Sequence, residues 1–354
     1  MHGKRLEKLR DKVAQLGIDV LFLSNPVNVH YMAGMGEDSY LLISADEAVF
    51  LTDSRYTEAA QKAVEVAEVK MWKDDLYAHV ASNAANMGAT VIGFEQDNIT
   101  VAQHKKLKKA CEGADLVATD GLVEELRIIK DESEIELVRC AAEIADKALT
   151  ETMPYLVEGV TEKEIDAELR YRMNKNGAET VSFAPIVAFD ANASLPHAKP
   201  GDRELTADSM VQFDWGAQYK HYCSDCSRIF FFGEVDSELE EIYEIVMDAN
   251  ARAKRALKAG SELKDIDGVA RSHVTEHGYG ENFGHGLGHG VGLLVHEAPR
   301  VSPKSTHTAR SGMIVTIEAG IYLPGKGGIR VEDEVVVREK GIEILTTLGR
   351  EPRV

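Results

Sequence analysis

Residues 210–233 read "MVQFDWGAQYKHYCSDCSRIFFFG". Two apolar and aromatic runs flank a polar centre, which is the pattern of a β-hairpin rather than a helix. With the turn centred between Tyr219 and Lys220, Asp214 and Asp225 stand directly opposite each other. Like charges at facing positions repel, because cross-strand Cβ atoms are only ~4.5–5.5 Å apart. A shared proton, a salt bridge or a metal ion must offset that repulsion. The same alternation sends Cys223 and Cys226 to opposite faces, so this C-x-x-C does not read as a zinc or redox pair.

Residues 313–337, "MIVTIEAGIYLPGKGGIRVEDEVVV", repeat the arrangement. The "PGKGG" turn breaks the run. A tip at Gly325 brings Glu318 opposite Glu332. Glu318 follows Ile314-Val315-Thr316-Ile317, where a carboxylate is expensive unless paired or coordinated. Each hairpin follows a copy of a weak internal repeat. Gly159, Lys163, Ile165, Asp166 and Gly177 recur as Gly260, Lys264, Ile266, Asp267 and Gly278, each 101 positions later. Both copies are helical in pattern and close on a glycine suited to a helix C-terminus. A duplicated α+β unit accounts for the constant offset.

Between the hairpins lies "GHGLGHGVGLLVHE", residues 284–297. The glycines exclude a stable helix, and no H-E-x-x-H is present. Glycine in a strand marks close approach of a ligand or another backbone, so His285, His289 and His296 are expected to line a tight groove.

The chain of 354 residues is long enough for two domains. The first alternates helix-like and strand-like pieces, among them "DVLFLS", "YLLISADEAVFLTD" and "ATVIGFE". This is an α/β pattern. It opens on an amphipathic helix with Leu6, Leu9, Val13 and Leu16 on one face. The texture becomes long, charged and helical near residue 125. We therefore expect an α/β domain over residues 1–125 and a second domain over residues 126–354. A net charge of −19 argues against nucleic acid as a partner. No apolar run is long enough to span a bilayer, and four cysteines suggest no disulfide framework. These features read as a cytoplasmic protein with no membrane partner.

Asp214, Asp225 within "YCSDCSR", His289 within "HGLGHGVGLLVHE", Glu318 within "TIEAGIY" and Glu332 within "IRVEDE" together resemble the five-ligand pattern of the pita-bread metallopeptidases, Xaa-Pro branch, which comprises prolidases and aminopeptidase P. The resemblance covers essentially the whole chain, including "LTDSRY" and "IIKDESEIELVR". It implies an α+β fold: a C-terminal pita-bread domain with internal duplication, preceded by a smaller α/β creatinase-like domain. Two positions depart from the family pattern. Ala319 stands where proline is common, and Phe189-Asp190 stand where Ser-Gly is common. The second departure is expected to reshape the groove.

The resemblance further implies two divalent metal ions, Mn²⁺ foremost, with Co²⁺ or Zn²⁺ as alternatives. Four carboxylates and one imidazole form a hard donor set that suits such ions. Asp225 and Glu332 would bridge the pair, Asp214 would complete one site, and His289 and Glu318 the other. The implied reaction is hydrolysis of an Xaa-Pro bond by a hydroxide generated between the metals. Glu318 would act as general base, His296 would stabilise the oxyanion, and His197 would assist proton transfer. His285 and Arg300 would bind the substrate, a proline-containing dipeptide or short peptide. The family pattern also implies a homodimer. Three other readings stay open: an aminopeptidase P acting on longer peptides, a phosphotriester side activity, and a non-catalytic binding or assembly protein on the same fold.

Overall fold

The computed structural model describes residues 2–353. The chain divides into two units, the first ending at Arg127 and the second beginning at Ile128.

In the first unit, apolar runs bounded by turn residues become strands of one six-stranded sheet. Its spatial order is Glu68–Met71, Ala48–Thr52, Ser39–Ser44, Val20–Leu23, Val91–Glu95, Asp115–Thr119. Val20–Leu23 is parallel to Val91–Glu95 and antiparallel to Ser39–Ser44. Val20, Phe22, Leu42, Leu51, Ile92 and Phe94 form the core under the helices Leu76–Asn86 and Val101–Ala110. The opening helix His2–Gln15 buries Leu6, Leu9 and Val13. Leu16 falls past its end and is 54% exposed, so the apolar face is one residue shorter than its spacing suggests.

In the second unit, Asp131 caps the 21-residue helix Glu132–Thr152 through a reciprocal capping box with Glu134. The repeat is exact in structure. Helix Glu162–Lys175 and helix Leu263–Glu276 have the same length and occupy positions 101 apart. Both end before a glycine at positive φ, Gly177 at 107° and Gly278 at 88°. The first follows helix Glu132–Thr152, and the second follows helix Ser237–Ala256. Each pair of helices backs onto one of the hairpins. The architecture is thus α+β with an internal duplication.

Strand alternation decides which residues are left for chemistry. On Ser209–Trp215, Val211, Phe213 and Trp215 enter the core beside helix Glu132–Thr152, and the Trp215 indole N–H donates to the Ala145 carbonyl at 2.8 Å. Asp214 therefore points to the other face. On the second hairpin, Val315, Ile317 and Ala319 join the core with helix Ser237–Ala256, which leaves Thr316 and Glu318 on the opposite face.

Candidate metal centre

The second hairpin has the expected register. Ile317 pairs with Asp333 and Gly320 with Arg330, so Glu318 and Glu332 lie at matched positions where the ladder is interrupted. The first hairpin does not. Asp214 pairs with Ser227, and the tip pairs Tyr219 with Tyr222. The turn is Lys220-His221, both at positive φ (46° and 68°), one position later than expected. Two left-handed central residues match the strand twist, but Lys-His carries none of the usual Asn-Gly signal. Asp225 sits in the break between the paired segments Tyr222–Cys223 and Cys226–Phe232. The two hairpins meet at a bridge between Ser227 and Glu332.

These placements bring oxygen and nitrogen donors together. Asp214, Asp225 and Glu332 each offer an atom within 4.8 Å of the others, and so do His289, Glu318 and Glu332, and Asp225, His289 and His296. Asp225, Glu332 and His289 each belong to two of these groups. His289 lies on the short strand Gly288–Gly290, between Glu297–Val301 and Ile314–Ile317. Its glycine neighbours are required by other backbone rather than by a ligand. A Cβ at 288 would meet the Thr316 carbonyl oxygen at 2.0 Å, and one at 290 the Ala298 carbonyl oxygen at 2.3 Å.

The electrostatics calls for a cation. The Gly290 carbonyl accepts from His289 Nδ1 at 3.1 Å, which fixes that nitrogen as the protonated one. Burial, then His296, pulls the His289 imidazole down to about 3, so it is neutral. Its Nε2 lone pair then faces Glu318 Oε1 at 3.4 Å and Asp225 Oδ2 at 3.6 Å, an acceptor-to-acceptor contact that only a proton or a cation relieves. Burial, reinforced by the neighbouring carboxylates, pushes Asp225 and Glu332 well above the ordinary carboxylate range. Asp214 Oδ1 and Glu332 Oε1 are buried without a hydrogen-bond partner among the described residues. Unpaired buried acceptors around one point are what a bound divalent ion satisfies, so this donor set fits metal.

Sequence reasoning missed Arg330. This buried guanidinium donates to Asp214 Oδ2 at 2.6 Å, to Tyr322 Oη at 2.7 Å and to Ser227 Oγ at 3.1 Å. Ser227 Oγ in turn donates to Glu332 Oε2 at 3.0 Å. An arginine inside the apolar "GGIRV" run was the available signal. Arg330→Met is expected to lower stability by ~3–5 kcal/mol by leaving Asp214 buried and unpaired. Urea unfolding of the metal-free protein measures this, and a change below about 1 kcal/mol would contradict it.

A cavity of about 1150 Å³ opens over the cluster. His197, His285, His296 and Arg300 all line it. His197, His296 and Arg300 are exposed there, and the His296 ring lies 4.3 Å from that of His289, edge to face. His285 is more constrained. Its Nδ1 donates to the Gly286 carbonyl at 2.8 Å, and its Nε2 meets Tyr322 Oη at 3.1 Å, so both nitrogens are engaged within the protein. The Phe189-Asp190 departure does not reshape the groove. Phe189 is fully buried in the core. Asp190 takes the left-handed conformation (φ 49°) that a glycine would, and accepts from the Met210 amide at 2.8 Å.

This arrangement of paired carboxylates and a neutral imidazole over an open cavity fits a divalent metal on a duplicated α+β frame. The chain belongs to metallopeptidase family M24, whose model matches residues 136–339, and it carries a creatinase/prolidase N-terminal domain over residues 5–129. It is 36% identical to an Xaa-Pro dipeptidase of Pyrococcus furiosus, over 98% of this chain and 99% of that protein. Among solved structures, an Xaa-Pro dipeptidase from Bacillus anthracis superposes with a TM-score of 0.97 at 39% identity, covering 100% of both chains. An X-Pro aminopeptidase from Thermotoga maritima superposes at 0.91 with 38% identity, covering 97% of this chain and 100% of the other. The pita-bread fold and metallopeptidase class implied by the five residues are thus borne out. No helix among the described residues is long and apolar enough to cross a membrane.

Proposed function

We propose that this protein is an Xaa-Pro dipeptidase that uses two divalent metal ions, Mn²⁺ in the first place. The observation that carries the metal assignment is the neutral His289 Nε2 facing two carboxylate oxygens. Asp214, Asp225, His289, Glu318 and Glu332 would hold the ions. Asp225 and Glu332 would serve both ions: each belongs to two donor groups and has two carboxylate oxygens, whereas His289, also in two groups, has one free nitrogen. When bound, the pair would polarise the scissile carbonyl and lower the pKa of a shared water.

The chain's own groups supply the rest. Glu318, beside His289 at the cavity, takes the proton of the attacking water as general base. His296, exposed on the cavity wall beside His289, donates to the developing oxyanion. A proline nitrogen carries no hydrogen and must gain one to leave, and His197 delivers it from the other half of the duplicated unit. His285, held by Tyr322 and Gly286, contributes its ring face to the substrate wall. Arg300, which no ion pair occupies among the described residues, anchors the substrate carboxylate with its planar fork. The four free cysteines support a cytoplasmic location. The expected homodimer is checked by light scattering.

The volume of the cavity favours a second reading. About 1150 Å³ exceeds what a dipeptide fills, and supports an aminopeptidase acting on longer Xaa-Pro peptides. Hydrolysis of Ala-Pro and Ala-Pro-Ala, with and without Mn²⁺, separates these readings. A metal-loaded protein inert on both would sink both and favour a binding role. Arg300→Ala is expected to raise KM for Ala-Pro about 10- to 100-fold, the worth of a lost hydrogen bond to a charged group. Ala-Pro-amide, which has no carboxylate, should be hydrolysed equally well by both forms; an equal loss on it would remove the anchoring role.

A further inference from the structure

We infer that Asn250, on the helix Ser237–Ala256, is a positioning residue that sets the spacing of Glu318 and Glu332. The inference rests on the reading of those two residues as metal ligands. In the register of the second hairpin, Ala319 and Val331 are facing partners, immediately after Glu318 and immediately before Glu332. No direct bond joins them. Instead the Ala319 N–H donates to Asn250 Oδ1 at 2.9 Å, and Asn250 Nδ2 donates to the Val331 carbonyl at 2.6 Å. One planar amide is therefore inserted between the two strands, in place of an N–H···O=C rung of the ladder.

The surrounding groups show that the gap is built. The Glu318 amide turns outward to the Leu287 carbonyl at 2.8 Å, and the Glu332 amide to the Ser227 carbonyl at 3.1 Å. The rung from the Ala319 N–H to the Val331 carbonyl is thus replaced by bonds to a third element. Asn250 is the one that ties both strands at once. It is 2% exposed, and its helix neighbours Val246 and Ala253 are packed in the core. The wedge thus cannot shift without moving the helix. A primary amide is the smallest side-chain group that offers one donor and one acceptor on a rigid plane. Aspartate has no donor, and leucine has neither group. The departure at position 319 belongs to the same device: alanine keeps the N–H that Asn250 accepts, whereas a proline there would have none to give.

Replacing the wedge should let the strands close and misplace the two glutamates. For Asn250→Leu we expect the affinity for Mn²⁺, measured by titrating the chelator-treated full-length protein, to fall about 10- to 100-fold, the usual effect of losing an outer-shell partner. The visible spectrum of the cobalt-loaded variant should change, and kcat on Ala-Pro should fall more than KM rises. A purely structural role would lower Tm and leave the cobalt spectrum as in the wild type. Asn250→Asp, which keeps the acceptor for the Ala319 N–H and removes only the donor to the Val331 carbonyl, should shift the same readouts in the same direction, and carries the test if Asn250→Leu does not fold. Wild-type metal affinity and cobalt spectrum in a folded variant would overturn the inference. Failure of the underlying reading looks different: wild-type protein and Glu318→Gln would then bind Mn²⁺ alike.

Discussion

Asp225→Asn is expected to abolish turnover while leaving the metal-free protein more stable than the wild type above neutral pH. Asp225 is 4% exposed, and burial followed by repulsion from Glu332, Asp214 and Glu318 holds its carboxyl well above the ordinary range. For an acid whose folded pKa is raised, the stabilising protonated state is complete below the unfolded pKa of ~4 and is lost as pH climbs through the folded value. The isosteric amide has no charge to acquire, so the variant escapes that loss. It also removes a donor shared by two groups of the cluster, and a deficit of ~4 kcal/mol in transition-state stabilisation is about a 10³-fold loss of kcat/KM. Metal analysis, Xaa-Pro hydrolysis and calorimetry of chelator-treated protein at pH 8 measure the three effects. Wild-type turnover, or a lower metal-free Tm than the parent, would contradict the account.

Metal removal should cost the wild-type protein about 10 °C in Tm at pH 8. Occupancy at a thousand times Kd is worth ~4 kcal/mol, and a domain of this size moves ~2–4 °C per kcal/mol. The effect should shrink toward pH 6.5. Between pH 6.5 and 8 the titrating members of the cluster are its raised carboxyls, Glu318 at about 8 foremost. Their ionisation destabilises the metal-free fold as pH rises. Below pH 6.5 two imidazoles add a contribution that opposes the carboxyls'. His289 and His285, pulled down to about 3 and about 4, are stabilising while neutral, and that contribution is lost as pH falls. The metal-free protein should therefore lose stability from pH 6.5 to 8, and metal loading should flatten that limb. A chelated protein whose Tm does not fall from pH 6.5 to 8 would contradict this.

Much of this centre is legible in the linear chain, and the parts that are not have identifiable causes. The register of the second hairpin follows from "PGKGG", because glycine and proline mark a turn by steric rules. The first hairpin slips by one turn position because Lys220-His221 adopt left-handed conformations with no residue-type signal. The edge strands Glu68–Met71 and Asp115–Thr119 escape a pattern reading, since each is largely exposed and mixes charge with apolar residues. The glycines around His289 did signal close backbone approach, but their number could not say that neighbouring strands, rather than a substrate, stand there.

Periodicity and residue type act over a few positions, and they were enough to specify the helices, the duplicated unit at its offset of 101, and the residues whose donor atoms converge. The environment of those atoms is another matter. Arg330 reaches Asp214 across 116 positions, and Asn250 reaches Ala319 across 69. The side chains that orient the donors hold them through single long-range hydrogen bonds. No local pattern encodes such bonds: Arg330 meets Asp214 only where the two hairpins pack together, and Asn250 meets Ala319 only where its helix packs on the second hairpin.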